Sequence, residues 1–207
     1  MRQLKLMMSM SLDGFVAGPG DEIDWVFNGD QAAIAWKVEH AWNASLHIMG
    51  SRVFEGMASF WPTAESAFAP AMNQIPKLVF SARGAAVLET AAHALAAAHA
   101  RCADAGMALP IGGESWAQAR VGGGPLRETI AELKAGEGKP ILAHGGAAFA
   151  RSLIAHGLID EYVLGVYPIL LGQGLPIFDA LPVPRPLALV DSQRFPSGVM
   201  AQTYRST

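Results

Sequence analysis

Residues 141–149 join an apolar run to an amphipathic helix pattern through Gly145 and Gly146. Glycines at such a junction let a ligand approach the backbone closely. The helix that follows offers unpaired N–H groups and the positive end of its dipole, which suit a phosphate. The segment therefore favours an α/β fold and indicates a phosphate site, although a pair of glycines can also serve tight packing alone.

Strand-type and helix-type segments alternate along the chain. Apolar runs predict strands at 4–10, 46–49, 77–81, 116–121, 141–144, 161–167 and 199–204. Periodic or alanine-rich segments predict helices at about 30–42, 51–61, 90–105, 126–134 and 147–156, and Ile34, Val38 and Trp42 share one face of the first. Alternation of this kind predicts a three-layer α/β protein with a largely parallel central sheet.

Composition narrows the class of protein. A chain of 207 residues with 51% hydrophobic content can bury the core of one domain. A formal net charge of −3 argues against a nucleic-acid partner, and no apolar run is long enough to predict a membrane span. The single cysteine, Cys102, excludes an internal disulfide and fits a cytoplasmic protein. The histidine spacing gives no metal motif, so no metal is expected.

Three predicted strand ends carry small residues, and two of them carry an arginine. These ends are Gly50-Ser51-Arg52, Ser81-Ala82-Arg83 and Gly145-Gly146. Ligands collect at the carboxyl ends of strands in such sheets, and arginine donates paired hydrogen bonds to phosphate oxygens. The pattern favours a dinucleotide with an extra ribose phosphate; the alternative is that Arg52 and Arg83 are solvated surface charges.

Six short motifs occur in an order that resembles a known family. They are residues 11–17 (Ser-Leu-Asp-Gly-Phe-Val-Ala), 24–25, 49–52, 79–81, 145–147 and 168–174. Together they resemble the dihydrofolate-reductase-like fold in its riboflavin-biosynthesis reductase branch, the C-terminal domain of bifunctional deaminase-reductases. The resemblance spans about residues 4–204 and implies one α/β/α domain over 1–207 with a central mixed, mainly parallel sheet, bound NADPH and frequent homodimers.

By this resemblance, four groups of residues contact the cofactor. They are Val16 and Ala17 at the nicotinamide, Gly50, Ser51, Arg52 and Val53 at the phosphates, Ser81, Ala82 and Arg83 at the adenosine 2′-phosphate, and Gly145, Gly146, Ala147, Ala148 and Phe149 at the pyrophosphate. The implied activity is NADPH-dependent hydride transfer to a small heterocyclic or ribosylaminopyrimidine acceptor. Candidate dimer surfaces are the predicted strand at 161–167, which carries the apolar residues Val163, Leu164 and Val166, and the last strand.

The chain departs from the family pattern in three respects. His144 stands where riboflavin-pathway members carry a glutamate, and the zinc motif of the deaminase half is absent. The segment 84–114 is longer than in compact members, which predicts an additional helical insertion. These departures concern the acceptor rather than the cofactor.

Three titratable residues are candidates for catalytic roles. Asp13 follows the first strand and could bind a sugar hydroxyl of the acceptor or guide a water-borne proton. Asp24 precedes Trp25 and could hold a polar heterocycle, and His144 ends a strand, where a near-neutral pKa would suit proton delivery. Each has a structural alternative: a turn aspartate for Asp13, a helix N-cap for Asp24 and a backbone-bonded histidine for His144.

Two other functions compete with the reductase. Gly113-Glu114-Ser115 partly matches a nucleophile elbow, which suggests a serine hydrolase using Ser115, but the glycine pair comes after the serine rather than before it. The second is a nucleotide-binding dimer without turnover, since a fold does not guarantee chemistry.

Overall fold

The computed structural model describes residues 1–27, 29–179, 181 and 183–207 and contains an eight-stranded sheet with helices on both faces. The strands are β1 (Leu4–Ser11), β2 (Leu46–Gly50), β3 (Lys77–Phe80), β4 (Arg120–Gly122), β5 (Ile141–Ala143), β6 (Glu161–Tyr167), β7 (Leu187–Arg194) and β8 (Met200–Ser206). The helices are α1 (Gln31–Trp42), α2 (Ser51–Phe60), α3 (Ala69–Gln74), α4 (Val87–Asp104), α5 (Leu126–Ala135) and α6 (Ala147–Ala155).

The sheet is mixed and mainly parallel, as the sequence predicts. Its strand order is β4-β3-β2-β5-β1-β6-β8-β7. The strands from β4 to β6 pair in parallel, whereas β8 pairs antiparallel with both β6 and β7. The parallel part has its carboxyl ends along one edge of the sheet, where loops and helix starts meet.

Strand β1 shows how the two faces are covered. Leu6 points into a core shared with Ile130 of α5 and Leu153 of α6. Its neighbour Met7 points to the other face and packs with Trp36 of α1. Because successive side chains of a strand alternate between faces, β1 is covered on both sides, and the predicted three-layer arrangement is confirmed.

Helix α1 buries a different face from the predicted one. Ala33, Trp36 and Ala41 are its buried residues, while Trp42 is 39% exposed. Small alanine side chains let the helix approach the sheet closely, and they contribute little to a hydrophobic periodicity. The prediction of Ile34, Val38 and Trp42 as the buried face was therefore wrong.

The segment 84–114 contains α4, preceded by a short 3-10 helix at Gly84–Ala86. Val87 and Ala91 of α4 pack against Phe54 of α2 in a third buried cluster. The strand predicted at 116–121 is shorter in the structure and begins later in the chain. Strand β4 covers only Arg120–Gly122, and Trp116 ends a 3-10 helix.

Strand β7 was missed by the sequence analysis and forms an edge of the sheet. All eight of its residues are exposed. By contrast, β6 lies between β1 and β8, and Val163 and Leu164 are buried within the subunit. These side chains are therefore not available as the predicted dimer surface.

Among the described residues, no helix combines the length and the apolar character that crossing a membrane requires.

Candidate functional site

The turn after β5 brings three strand ends into close contact. Gly145 has a φ of +87°, the peptide bond between Gly145 and Gly146 is cis, and the Gly145 carbonyl accepts a 3.0 Å hydrogen bond from the N–H of Gly50. A Cβ atom at Gly145 would lie 2.9 Å from the Sδ of Met8 in β1. A side chain at this position would displace the Met8 thioether and would be strained by the left-handed backbone.

Two helices begin side by side at this turn. A Cβ atom at Gly146 would lie 2.9 Å from Cγ2 of Val53, and one at Gly50 would lie 3.0 Å from Cβ of Phe149. Gly50 and Gly146 are the N-cap residues of α2 and α6, and neither helix start has a side-chain cap. Glycine at both positions thus allows two uncapped, electropositive helix ends to converge on one place.

The end of β3 joins the same region. Phe80 stacks on Phe149 with ring centroids 4.9 Å apart. The guanidinium of Arg83 forms a 2.6 Å ion pair with Oε1 of Glu55 in α2, and this hydrogen bond lowers the pKa of the Glu55 carboxyl. The predicted residues at three strand ends are therefore brought together, but Arg83 already has an anionic partner. Arg52 is exposed and has no ion-pair partner within the described part of the chain.

The Asp13 carboxylate connects the loop after β1 to the loop that contains Leu171 and Gly172. Its carboxylate accepts a 2.6 Å hydrogen bond from the hydroxyl of Ser11 and further ones from the N–H groups of Leu171 and Gly172. The hydrogen bond from Ser11 is the main cause of a lowered pKa, so Asp13 stays ionised at neutral pH. This geometry matches the alternative of a turn aspartate.

The loops held by Asp13 form a wall beside the end of β1. The N–H of Val16 donates to the carbonyl of Leu175, and the N–H of Leu175 donates to the carbonyl of Ala17, each at 2.9 Å. Val16 is half-buried and Ala17 is buried. The predicted nicotinamide contacts therefore lie on backbone that a second loop holds in place.

Asp24 opens a short 3-10 helix that ends at Val26. Its side chain is exposed, and Ile23, not Asp24, is the N-cap residue of this helix. The predicted N-cap alternative was therefore wrong. Trp25 places its ring edge-on to Tyr167 of β6, with centroids 5.3 Å apart.

The structure contradicts the predicted role of His144 as a proton donor. Its side chain points into the interior, where it is 9% exposed and packs against His47 with ring centroids 4.5 Å apart. Burial lowers the pKa of His144 to about 4, and the positive charge of Lys77 adds to this shift. A neutral, buried imidazole is a poor proton donor at neutral pH.

A polar cluster that the sequence analysis missed lies on the α1 face of the sheet. The ammonium of Lys37 donates hydrogen bonds to Ser9 Oγ at 2.9 Å and to the Tyr167 hydroxyl at 2.8 Å. The Tyr167 hydroxyl in turn donates to the carbonyl of Val26 at 3.1 Å. Lys37 lies on an amphipathic helix, where a lysine is usually a solvated charge, and no local signal marked it.

Ser115 packs against a buried lysine rather than beside a histidine. Its hydroxyl donates to the Asn73 carbonyl and accepts from the buried ammonium of Lys77 at 2.5 Å. Within the described part of the chain, it forms no hydrogen bond with a histidine. The cluster joins α3 to the 3-10 helix at Gly113–Trp116, a structural role that does not favour the serine hydrolase.

The described residues also contain no group of three or more potential metal ligands.

The strand order and the site geometry define an α/β domain of the dihydrofolate-reductase type. The model of the RibD C-terminal domain family matches residues 2–201, and the chain belongs to this family. The predicted resemblance is thereby confirmed.

Three individual proteins illustrate the relationship. The uncharacterized protein YyaP of Bacillus subtilis (strain 168) is 25% identical over 203 residues, which cover 98% of this chain and 94% of YyaP. The structure of a putative riboflavin biosynthesis protein from Shewanella sp. PV-4 aligns with a TM-score of 0.68 at 21% identity, covering 100% of this chain and 99% of that one. Dihydrofolate reductase from Enterococcus faecalis, complexed with NADP(H), aligns with a TM-score of 0.55 at 13% identity, covering 99% and 96%.

Proposed function

We propose that this chain is an NADPH-dependent reductase that delivers a hydride to a small heterocyclic acceptor, a ribosylaminopyrimidine of the kind reduced in riboflavin biosynthesis. Membership of the RibD C-terminal domain family supports a reductase. The observation that carries the proposal is the convergence of two uncapped helix starts at Gly50 and Gly146.

The residues at this point fit a pyrophosphate. The first-turn N–H groups of α2 and α6 lack side-chain acceptors, and both helix dipoles present their positive ends there. Gly50, Ser51 and Gly146 retain solvent exposure. Arg52 and Arg83 would bind the additional ribose phosphate that distinguishes NADPH from NADH.

Chemistry is divided between cofactor and protein in such an enzyme. When bound, the nicotinamide supplies the hydride. The protein binds and orients both partners, excludes water and provides a proton for the heteroatom of the acceptor. Asp13 contributes by fixing the loop around Gly172, which borders the end of β1. Asp24, an exposed carboxylate, would hold the polar heterocycle of the acceptor, whereas His144 is buried and neutral and does not supply the proton.

The experiment begins with calorimetric titrations of the purified protein with NADPH and with NADH. We expect saturable binding of NADPH and weaker binding of NADH, because only NADPH carries the 2′-phosphate. The loss of NADPH absorbance is then followed with 5-amino-6-(5-phosphoribosylamino)uracil as the acceptor. Failure to bind either dinucleotide at millimolar concentration would overturn the proposal. Tight binding of NADPH without oxidation by any pyrimidine or pteridine would favour the non-catalytic nucleotide-binding protein.

A further inference from the structure

The cluster of Lys37, Ser9 and Tyr167 contains hydrogen-bond donors that are not satisfied within the described part of the chain. Lys37 uses two of its three N–H bonds, and the described part of the chain offers no acceptor for the third. The Ser9 hydroxyl accepts from Lys37, and the described residues leave its own hydrogen without an acceptor. Both residues are half-buried, so solvent or a ligand reaches them. The cluster therefore complements a group that accepts hydrogen bonds.

The charge of Lys37 is not neutralised by a neighbouring carboxylate. None of the ion pairs among the described residues includes Lys37, so no acidic oxygen lies within 4.0 Å of its ammonium group. A half-buried cation without a counter-ion attracts anionic or strongly polarised oxygen atoms, and it repels protonated rings.

The cluster lies next to the glycine turn. Ser9 follows Met8, whose Sδ lies 2.9 Å from the position that a Cβ atom on Gly145 would take. Successive side chains of a strand point to opposite faces, so Ser9 faces α1 while Met8 faces α6. Leu6 of β1 pairs with Ala143 of β5, so Ser9 lies level with the glycine turn along the strand direction, and the cation lies beside it on the α1 side of the sheet.

Tyr167 holds the cation in place. Its hydroxyl is fixed between the Lys37 ammonium and the Val26 carbonyl, its ring contacts Trp25, and its side chain is 3% exposed. Tyr167 therefore acts as a positioning residue, because its hydroxyl already uses its one hydrogen.

We propose that Lys37 and Ser9 bind the hydride acceptor through a carbonyl, enolate or other anionic oxygen. This inference rests on the proposed reductase function and assigns two residues to its acceptor site. The acceptor is a ring that presents oxygen atoms to the protein, as uracils do, and not a protonated aminopyrimidine. The Lys37 ammonium stabilises negative charge on that oxygen, and Ser9 donates a second hydrogen bond to it.

The test measures binding and needs no turnover. Barbiturate, an anionic ring of the uracil class, is titrated by calorimetry into the protein, both alone and saturated with NADP⁺. We expect saturable binding to the wild type and a loss of about tenfold or more in Lys37→Met, since hydrogen bonds to charged groups are of that strength. Lys37→Arg should retain most of the affinity, and Ser9→Ala should lose a smaller part of it.

A matched control removes a lysine elsewhere. Lys139 is exposed and donates to the carbonyl of Trp42, so Lys139→Met should bind barbiturate as the wild type does. NADPH affinity should stay within about twofold of wild type in every variant, which also shows that each variant is folded.

The outcomes separate this inference from the proposed function. Absence of barbiturate binding to the wild type, or equal binding by the wild type and Lys37→Met, overturns the inference while intact NADPH binding leaves the reductase standing. Failure of the wild type to bind any nicotinamide dinucleotide overturns the proposed function, and with it the assignment of Lys37 to an acceptor site.

Discussion

The imidazole rings of His47 and His144 lie edge to face inside the protein, with their centroids 4.5 Å apart. His47 Nε2 is 3.3 Å from the Ala41 carbonyl, whereas His47 Nδ1 and His144 Nε2 have no hydrogen-bond partner among the described residues. Burial lowers the pKa of both rings, that of His47 well below its usual value and that of His144 to about 4. The folded protein therefore holds both rings neutral at neutral pH.

This pair predicts a loss of stability in mild acid. An unfolded histidine has a pKa near 6.5, so between about pH 6.5 and pH 4 the unfolded chain binds more protons than the folded one. We expect the free energy of unfolding to be fully retained above pH 6.5 and to fall through this window, by roughly 3 kcal/mol from His144 alone. Urea unfolding at a series of pH values measures this slope.

Substitution of the buried ring should flatten that pH dependence. His144→Met removes the titrating group, whereas His156→Met removes an exposed histidine and should keep the wild-type slope. A His144→Met protein that loses stability in acid as steeply as the wild type would contradict the explanation.

The spacing of the two helix starts predicts the effect of one added methyl group. In Gly146→Ala the new Cβ would lie 2.9 Å from Cγ2 of Val53, so either Val53 or one of the two helix starts must move. We expect NADPH affinity to fall about tenfold or more by calorimetry, and stability to fall by roughly 1–3 kcal/mol, as overpacking commonly does.

Two further variants test whether spacing is the cause. Gly123→Ala adds a methyl group with no atom within 4 Å and should leave both quantities unchanged. Adding Val53→Ala to Gly146→Ala removes the colliding methyl group and should restore most of the stability. If Gly146→Ala binds NADPH as tightly as the wild type, the helix starts do not hold the pyrophosphate.

Most of the fold could be predicted because most strands are apolar runs buried on both faces. Strand β2, for example, has Leu46, Ile48 and Met49 at 2% exposure or less. Strand β7 escaped prediction because all of its residues are exposed, so it carries no alternation of apolar and polar residues. Helix α3 escaped because it is six residues long and contains a proline near its start.

The site could be predicted only where its signal is local in the sequence. At each of the ends of β2, β3 and β5 the small residues follow one another in the sequence, so each end is recognisable as a short motif. The structure brings the three ends together. The orientation of His144 depends instead on which face of the sheet its side chain takes, and sequence spacing does not decide that. Lys37 is separated from Ser9 by 28 residues and from Tyr167 by 130, so only the folded chain reveals the cluster.

The ion pair between Arg83 and Glu55 predicts a competition that distinguishes the two cofactors. Arg83→Ala should weaken NADPH binding about tenfold with little effect on NADH, because only NADPH has the extra phosphate. Arg52→Ala should act in the same direction. Glu55→Gln releases the guanidinium from its 2.6 Å ion pair and should strengthen NADPH binding modestly, since a half-exposed pair contributes little. Equal effects on NADPH and NADH, measured by calorimetry, would remove the 2′-phosphate assignment.

The exposed edge of the sheet predicts a homodimer through β7. Among the described residues this strand has one unpaired backbone edge, and Leu187, Leu189 and Val190 are 37%, 56% and 44% exposed. An apolar edge strand of this length readily pairs with another strand, and a second copy related by a twofold axis supplies an identical one. We expect sedimentation velocity to show a dimer for the wild type and a monomer for Leu189→Lys. Leu170→Lys changes an even more exposed leucine, at 70%, that lies outside the sheet, so it should remain dimeric; a monomeric wild type would refute the interface.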